Sequence, residues 1–335
     1  MGIRNPIFVV GNPRSGTTLL RLVLTSHSKI NIPPESNFII RKMKKYKNTI
    51  FSSREQVGKF IDELREIPEC LSEKWEISFD NFFSYPYLVD HIDAGLSYVD
   101  LCAVIYQYYN LEKLGKTKDM WGDKNNANTN YIKLLSRLYP DAKFVHIVRD
   151  GRAVLSSYKQ LENIKKHKYA PDLPTETWRV AARWASAVSR CSFHLDKHAR
   201  GRYIVIRYED LITEFESTVS SVCEFLDVDF ESDMEKFYLL NKKVDLEPSE
   251  YEWKKNTRNP IDKTNISKWK LELSKNDIRD FECLSRKILL RYSYSLQSNS
   301  EARKIFFSRQ TFIYNYCLIA FRVKEVFRDI KYNIF

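Results

Sequence analysis

No Cys-x-x-Cys pair occurs among the six cysteines of this chain, which stand far apart at Cys70, Cys102, Cys191, Cys223, Cys283 and Cys317. That spacing excludes a zinc ribbon and a dense disulfide framework, and implies reduced thiols packed in the interior. The six histidines show no metal-ligand spacing either. No metal is expected, and His146 sits in an apolar run where a core role is expected. No Pro/Gly/Ser-rich linker, internal repeat or low-complexity run divides the chain. The longest apolar stretch of the C-terminal tail, Phe312 to Phe321, falls far short of the ~20 residues that span a bilayer. The first apolar run begins within a few residues of the N-terminus. That leaves no room for a signal peptide or membrane anchor, so a cytoplasmic location is expected.

What is present is a basic, aromatic-rich chain of 335 residues, with a net charge of +11, 43% hydrophobic and 14% aromatic residues. The apolar content is ample for a core. The positive balance suits an anionic ligand, and by itself equally suits nucleic acid or an anionic membrane. Lys and Arg are spread along the chain without an aromatic-interleaved RNA-binding pattern, so no nucleic-acid partner is expected.

The stretch Ile7 to Leu20, IFVVGNPRSGTTLL, carries the most information. Ile7 to Val10 read as a buried strand, Gly11 to Gly16 as a tight turn, and Thr17 opens a helix. The spacing G-x-x-x-x-G-x-[ST] is that of a Walker A loop, with Thr17 where the nucleotide-binding lysine should be. Successive N–H groups and a helix N-terminus form an anion cradle. Arg14 adds a forked positive charge inside the loop, suited to an oxyanion. The backbone from Ser15 through Gly16 and Thr17 to Thr18 is the candidate phosphate-binding segment. Two glycines alone would mean an ordinary strand–turn–helix; strand, Pro-Arg-Ser-Gly turn and Thr-Thr helix start together favour a ligand.

This loop resembles the 5′-phosphosulfate loop of sulfotransferases that use 3′-phosphoadenosine 5′-phosphosulfate (PAPS), whose pattern is close to P-R-S-G-T-[ST]. The resemblance implies a 3′-phosphate site further on, and KFVHIVRDGRAVLSSY (143–158) matches it. Family members carry an arginine at this strand end and a serine eight residues later, here Arg149 and Ser157. An arginine at a strand end and a serine two turns into the next helix can meet at one phosphate. The missing lysine fits as well, because a 5′-phosphosulfate has no γ-phosphate to grip.

The resemblance extends to four further residues. Glu35, in the Pro-rich loop NIPPESNF, stands where relatives of the tyrosylprotein sulfotransferases carry a catalytic glutamate, and is the candidate general base. Lys124 matches the lysine of a D-K strand end, placed to stabilise the leaving phosphate. The family often continues D-K-[TS]-P, whereas this chain has Asp123-Lys124-Asn125-Asn126. Tyr208, in RYEDL, matches a tyrosine on the 3′-phosphate side. Ser267, in NISKW, matches a serine that reaches the sulfate; the stretch from Trp253 to Lys268 reads either as an ordering lid or as a solvated basic loop. No R-K-G-x-x-G segment occurs, which sets the chain apart from the cytosolic small-molecule branch and nearer the tyrosylprotein and carbohydrate type.

Short apolar strands alternating with helices predict an α/β P-loop nucleotide-binding fold, a central parallel sheet flanked by helices. Helices are expected over Arg54–Ile67, Glu73–Phe83, His91–Leu114, Thr129–Tyr139, Thr175–Ala199 and Glu209–Leu226, with Trp178 and Trp184 on a packed face. Strands are expected at Asp119–Lys124 and Tyr203–Tyr208. One domain over 1–298 is expected, with 41–118 as a helical acceptor-side insertion and 299–335 as an amphipathic helical extension. That extension reads as packed on the core or a second subunit, or as lying on the inner membrane surface. The implied reaction is sulfuryl transfer from PAPS to a hydroxyl acceptor, a carbohydrate or glycolipid by preference or else a tyrosine or other phenol. The competing readings are a kinase-like enzyme with a degenerate Walker A loop and a non-catalytic anion binder.

Overall fold

The structure, a computed structural model, describes residues 5–67, 75–162, 173–244, 255–298 and 309–332. Its centre is a five-stranded sheet. The strands are β1 (Ile7–Val10), β2 (Ile30–Asn31), β5 (Met120–Asp123), β6 (Lys143–Val148) and β7 (Tyr203–Arg207), in the order β2-β5-β1-β6-β7. Every pairing is parallel. Each strand therefore needs a crossover, and the crossovers cover both faces of the sheet with helices. The continuous apolar runs of β1 and β6 follow from that double cover. The strand order reverses around β1, so the carboxyl ends of β1, β5 and β6 form one crevice.

On one face, α1 (Thr17–Ser26) joins α9 (Tyr208–Thr213) and α10 (Phe215–Leu226) over Ile7, Val9, Val145 and Ile147. The buried Lys118 ammonium secures the far end of α1 by donating to the carbonyls of Thr25, His27 and Ile30 at 2.6–3.0 Å. On the other face, α2 (Phe38–Tyr46), α3 (Arg54–Arg65), α4 (Pro86–His91) and α5 (Tyr98–Leu114) share one core with Phe8 and Phe144 of the sheet. A two-stranded antiparallel ribbon of β3 (Ile50–Phe51) and β4 (Leu96–Ser97) ties α2–α5 together. Helices α2 to α5 are thus part of the main core.

Five expected elements differ. The helix expected over Glu73–Phe83 is irregular chain across its described part, 75–83, ending in a 3₁₀ turn at Phe82–Ser84; Trp75, Phe79 and Phe82 wedge into the core as separate aromatic anchors. Of the helix expected over His91–Leu114, only Tyr98–Leu114 forms; α4 ends at His91, the chain turns at Gly95, whose φ of 88° only glycine adopts freely, and α5 starts behind a Ser97–Asp100 capping box. Asn126–Asn130 form a 3₁₀ turn before α6 (Ile132–Leu138), and Glu209–Leu226 is two helices. β7 is an edge strand with Val205 partly exposed, so it is less buried than its apolar run implies.

A third core joins α7 (Gly151–Glu162), α8 (Thr177–His198), α12 (Trp269–Glu272) and α13 (Lys275–Arg291), whereas α11 (Phe237–Val244) packs against α1. Trp184 is buried in α8 and Trp178 half-buried. The C-terminal α14 (Arg309–Lys331) packs along α8. Cys102, Cys191 and Cys223 are buried free thiols and Cys283 is half-buried; Cys70 and the side chain of Cys317 lie outside what the structure describes. Buried His146 is pushed down to a pKa of about 3 by desolvation, so it is a neutral core residue.

Candidate active site

The loop after β1 is locked from both sides. Thr129 Oγ1 accepts from the Gly11 N–H and donates to the Gly11 carbonyl, both at 3.1 Å. Asn12 Nδ2 donates to Pro13 O at 2.8 Å and to the buried Tyr158 hydroxyl at 3.2 Å. Arg14 sits in the left-handed region at φ 69° and Gly16 at φ 90°. A Cβ on Gly16 would fall inside contact distance of the Tyr208 ring, so glycine is required there for space as well as for conformation.

Four residues named from the sequence converge at this loop. Arg14 Nε donates to Ser157 Oγ at 3.0 Å. Arg149 donates to the Arg14 carbonyl at 3.0 Å and to the Asn265 carbonyl at 3.4 Å. Tyr208 stacks under the Arg149 guanidinium at 4.4 Å. Trp184 Nε1 donates to the Arg149 carbonyl at 3.1 Å and fixes that backbone. Burial, with Arg149 adding repulsion, pulls the Arg14 pKa down to about 10.

The acids nearby are engaged elsewhere. Asp150 accepts a fork from Arg152 at 3.0 and 2.7 Å, and Arg152 also pairs with Glu282. Glu209 accepts from the Asp150 N–H at 3.0 Å and from Tyr294 at 2.8 Å. Among the described residues, neither Arg14 nor Arg149 makes an ion pair. Ser15 Oγ and Arg149 Nε are buried with no hydrogen-bond partner among the described residues. Two half-buried guanidinium groups, orphaned donors and a helix N-terminus fit a nucleotide carrying more than one anionic group.

A second cluster stands at the carboxyl ends of β5 and β2. Buried Lys124 pairs with Glu35 and donates to Thr18 Oγ1 at 3.2 Å. Glu35 remains 24% exposed, enough to meet a substrate. Its loop is braced by Trp75 Nε1 donating to Pro34 O at 2.9 Å and by a Ser36–Tyr106 hydroxyl contact of 3.1 Å.

Sequence reading missed Asn126. Its Nδ2 donates to Glu35 Oε1 at 3.3 Å, and its Oδ1 accepts from Thr17 Oγ1 at 3.2 Å. The departure from D-K-[TS]-P thus has a structural use. Asp123, pushed up by desolvation, accepts from Asn125 and from Asn128 at 2.7 Å, which shapes the turn that carries Asn126. The one available signal was the double asparagine itself.

Ser267 is not gathered into either cluster by any hydrogen bond. It is exposed and its hydroxyl turns back to Thr264 O at 3.4 Å; Asn265 is the member of that segment that reaches the crevice. Trp253 and Lys254 lie outside the described residues. Among the described residues no group of His, Cys, Asp and Glu could hold a metal, and no helix is long and apolar enough to cross a membrane.

A P-loop crevice with paired arginines beside a lysine–glutamate pair defines a class, and comparison gives the same class. The chain belongs to the sulfotransferase family, whose model matches residues 6–232. It is 25% identical over 223 residues to protein-tyrosine sulfotransferase 2 of Gallus gallus, covering 66% of this chain and 51% of that one. It is 32% identical over 151 residues to protein-tyrosine sulfotransferase 1 of Homo sapiens, covering 45% and 33%. A protein of Aquifex aeolicus is 26% identical over 271 residues, 80% of this chain and 30% of that one. The match therefore spans about half or less of these three relatives. In fold, it is similar to the sulfotransferase domain of the Synechococcus PCC 7002 olefin synthase, with TM-score 0.56, 19% identity and coverage of 88% and 97%.

Proposed function

We propose that this chain transfers a sulfuryl group from PAPS to a hydroxyl acceptor, with Glu35 as general base. The observation that carries the reading is the meeting of Glu35 and Lys124 at the start of α1, beside a crevice whose two arginines lack a carboxylate partner among the described residues. Bound there, PAPS supplies an electrophilic sulfur and a phosphate leaving group. Arg14 and the N–H groups from Ser15 to Thr18 hold the 5′ end; Arg149, Ser157 and Tyr208 hold the 3′-phosphate. Glu35 takes the acceptor hydroxyl proton as the new oxygen–sulfur bond forms and the old one breaks. Lys124 leaves Glu35 to meet the charge that develops on the departing phosphate oxygen. Asn126 keeps the Glu35 carboxylate aimed while Lys124 moves. Ser267 has no step.

A carbohydrate or glycolipid hydroxyl is the first acceptor to test; the rings of α2 to α5 are buried in the core and do not choose among acceptors. The names of the Gallus gallus and Homo sapiens relatives favour a tyrosine phenol as a second reading. A transfer assay with PAPS against tyrosyl peptides, oligosaccharides and glycolipids separates them. Calorimetry with 3′,5′-bisphosphoadenosine and with Mg-ATP tests the class: tight ATP binding with no response to the bisphosphate would sink it.

A further inference from the structure

Helix α14 leaves an apolar stripe uncovered. Phe312, Tyr316, Ile319, Val323, Val326 and Ile330 are 47–75% exposed. They alternate at four- and three-residue steps, the seam spacing of two paired helices. Such a seam is narrower than the broad apolar face of a helix lying in a headgroup layer. The other side of α14 is taken: it packs along α8, Asp329 accepts from Lys133 at 3.2 Å, and Tyr332 and Arg328 cover Tyr131.

We propose that the stripe pairs, antiparallel, with the same stripe of a second copy of this chain, about a two-fold axis between Ile319 and Val323. The sizes along the stripe are self-complementary in that direction alone. Phe312 and Tyr316 occupy its N-terminal end and Val323, Val326 and Ile330 its C-terminal end, with Phe327 flanking the seam. Antiparallel layers set Phe312 against the partner's Ile330, Tyr316 against the partner's Val326 and Ile319 against the partner's Val323, which keeps the packed volume even. A parallel pair would stack ring on ring at one end and leave valines facing at the other. With Phe327 added, the exposed fractions amount to roughly 800 Å² per copy, which is the ~800 Å² per partner of a specific interface. The contact is isologous, so it closes as a dimer.

The register also fixes a sign. It places Arg322 beside the partner's Arg322 near the axis, a like-charge contact that salt screens. Added salt therefore tightens this pair, whereas it weakens attachment of a basic helix to an anionic bilayer. Light scattering on the full chain at about 10 μM should give twice the chain mass, more completely in high salt than in low. Ile319→Glu with Val323→Glu, both on the exposed stripe, should give the single-chain mass with far-UV circular dichroism unchanged. Mixing Phe312→Cys chains with Ile330→Cys chains under oxidation should yield a 312–330 cross-link, identified by peptide mapping, that neither variant forms alone. A single-chain mass at every salt concentration would overturn the proposal. So would self-cross-linking of Phe312→Cys, or stripe-dependent sedimentation with phosphatidylserine vesicles by a chain that stays monomeric.

Discussion

The two poles of the active site follow opposite electrostatic plans. At the arginine pole, Arg14 and Arg149 lie side by side, held by a serine hydroxyl and main-chain carbonyls. At the lysine pole, Lys124 is matched to Glu35 before any ligand arrives. Burial and the repulsion of Arg149 act against the Arg14 cation in the ligand-free fold, a cost that an entering anion would relieve. A compensated pair has its charge met within the fold, and in the proposed mechanism it changes partners only when a hydroxyl is presented. With recognition at one pole and chemistry at the other, as proposed, variants at the two poles should fail in different ways.

The largest effect belongs to Glu35. Glu35→Gln should lower the transfer rate by about 10²–10⁴ while 3′,5′-bisphosphoadenosine still binds, read by single-turnover kinetics and calorimetry. Undiminished transfer would remove Glu35 from the mechanism and end the distinction between the poles. Next comes Arg149→Ala, expected to weaken bisphosphate binding about 10–100-fold, since charge-assisted hydrogen bonds contribute about 1.5–3 kcal/mol. If ATP binding and bisphosphate binding fell equally, Arg149 would not be reading the 3′-phosphate. Asn126→Ala should reduce kcat by about tenfold and leave the bisphosphate Kd within about twofold, the signature of aim lost at the lysine pole alone. The smallest and most diagnostic change is Arg14→Gln. It should raise the ligand-free melting temperature, by on the order of 1 kcal/mol in stability, while abolishing the rise that bisphosphate gives the wild type. A drop in ligand-free stability would show that the arginine pole is not strained.

The arginine pole is legible in the sequence because each half lies in one contiguous motif. Gly11 to Thr18 and Arg149 to Ser157 each pair a strand end with a helix start, so local spacing fixes the geometry. Glu35 is legible only by resemblance, because its partner Lys124 is 89 residues away and nothing in NIPPESNF points to it. Asn126 is hidden for another reason: its role arises from a 3₁₀ turn shaped by buried Asp123, a tertiary effect with no periodic signature. The misplaced helix boundaries have the same origin. Apolar periodicity runs on past Gly95 and through Trp75–Phe83, where aromatic anchoring rather than helical repeat buries the side chains.

The buried Lys118 has a mechanical consequence for all of this. The helix whose first turn is proposed to meet the ligand is pinned at its last turn, because one ammonium holds Thr25, His27 and Ile30 together. Drawn from the front by an anion, that helix has no slack to slide along its axis. Adjustment to the nucleotide must then come from side chains around the crevice and from the Asn265 segment resting on Arg149, with the phosphate-binding loop acting as the fixed jaw of the clamp.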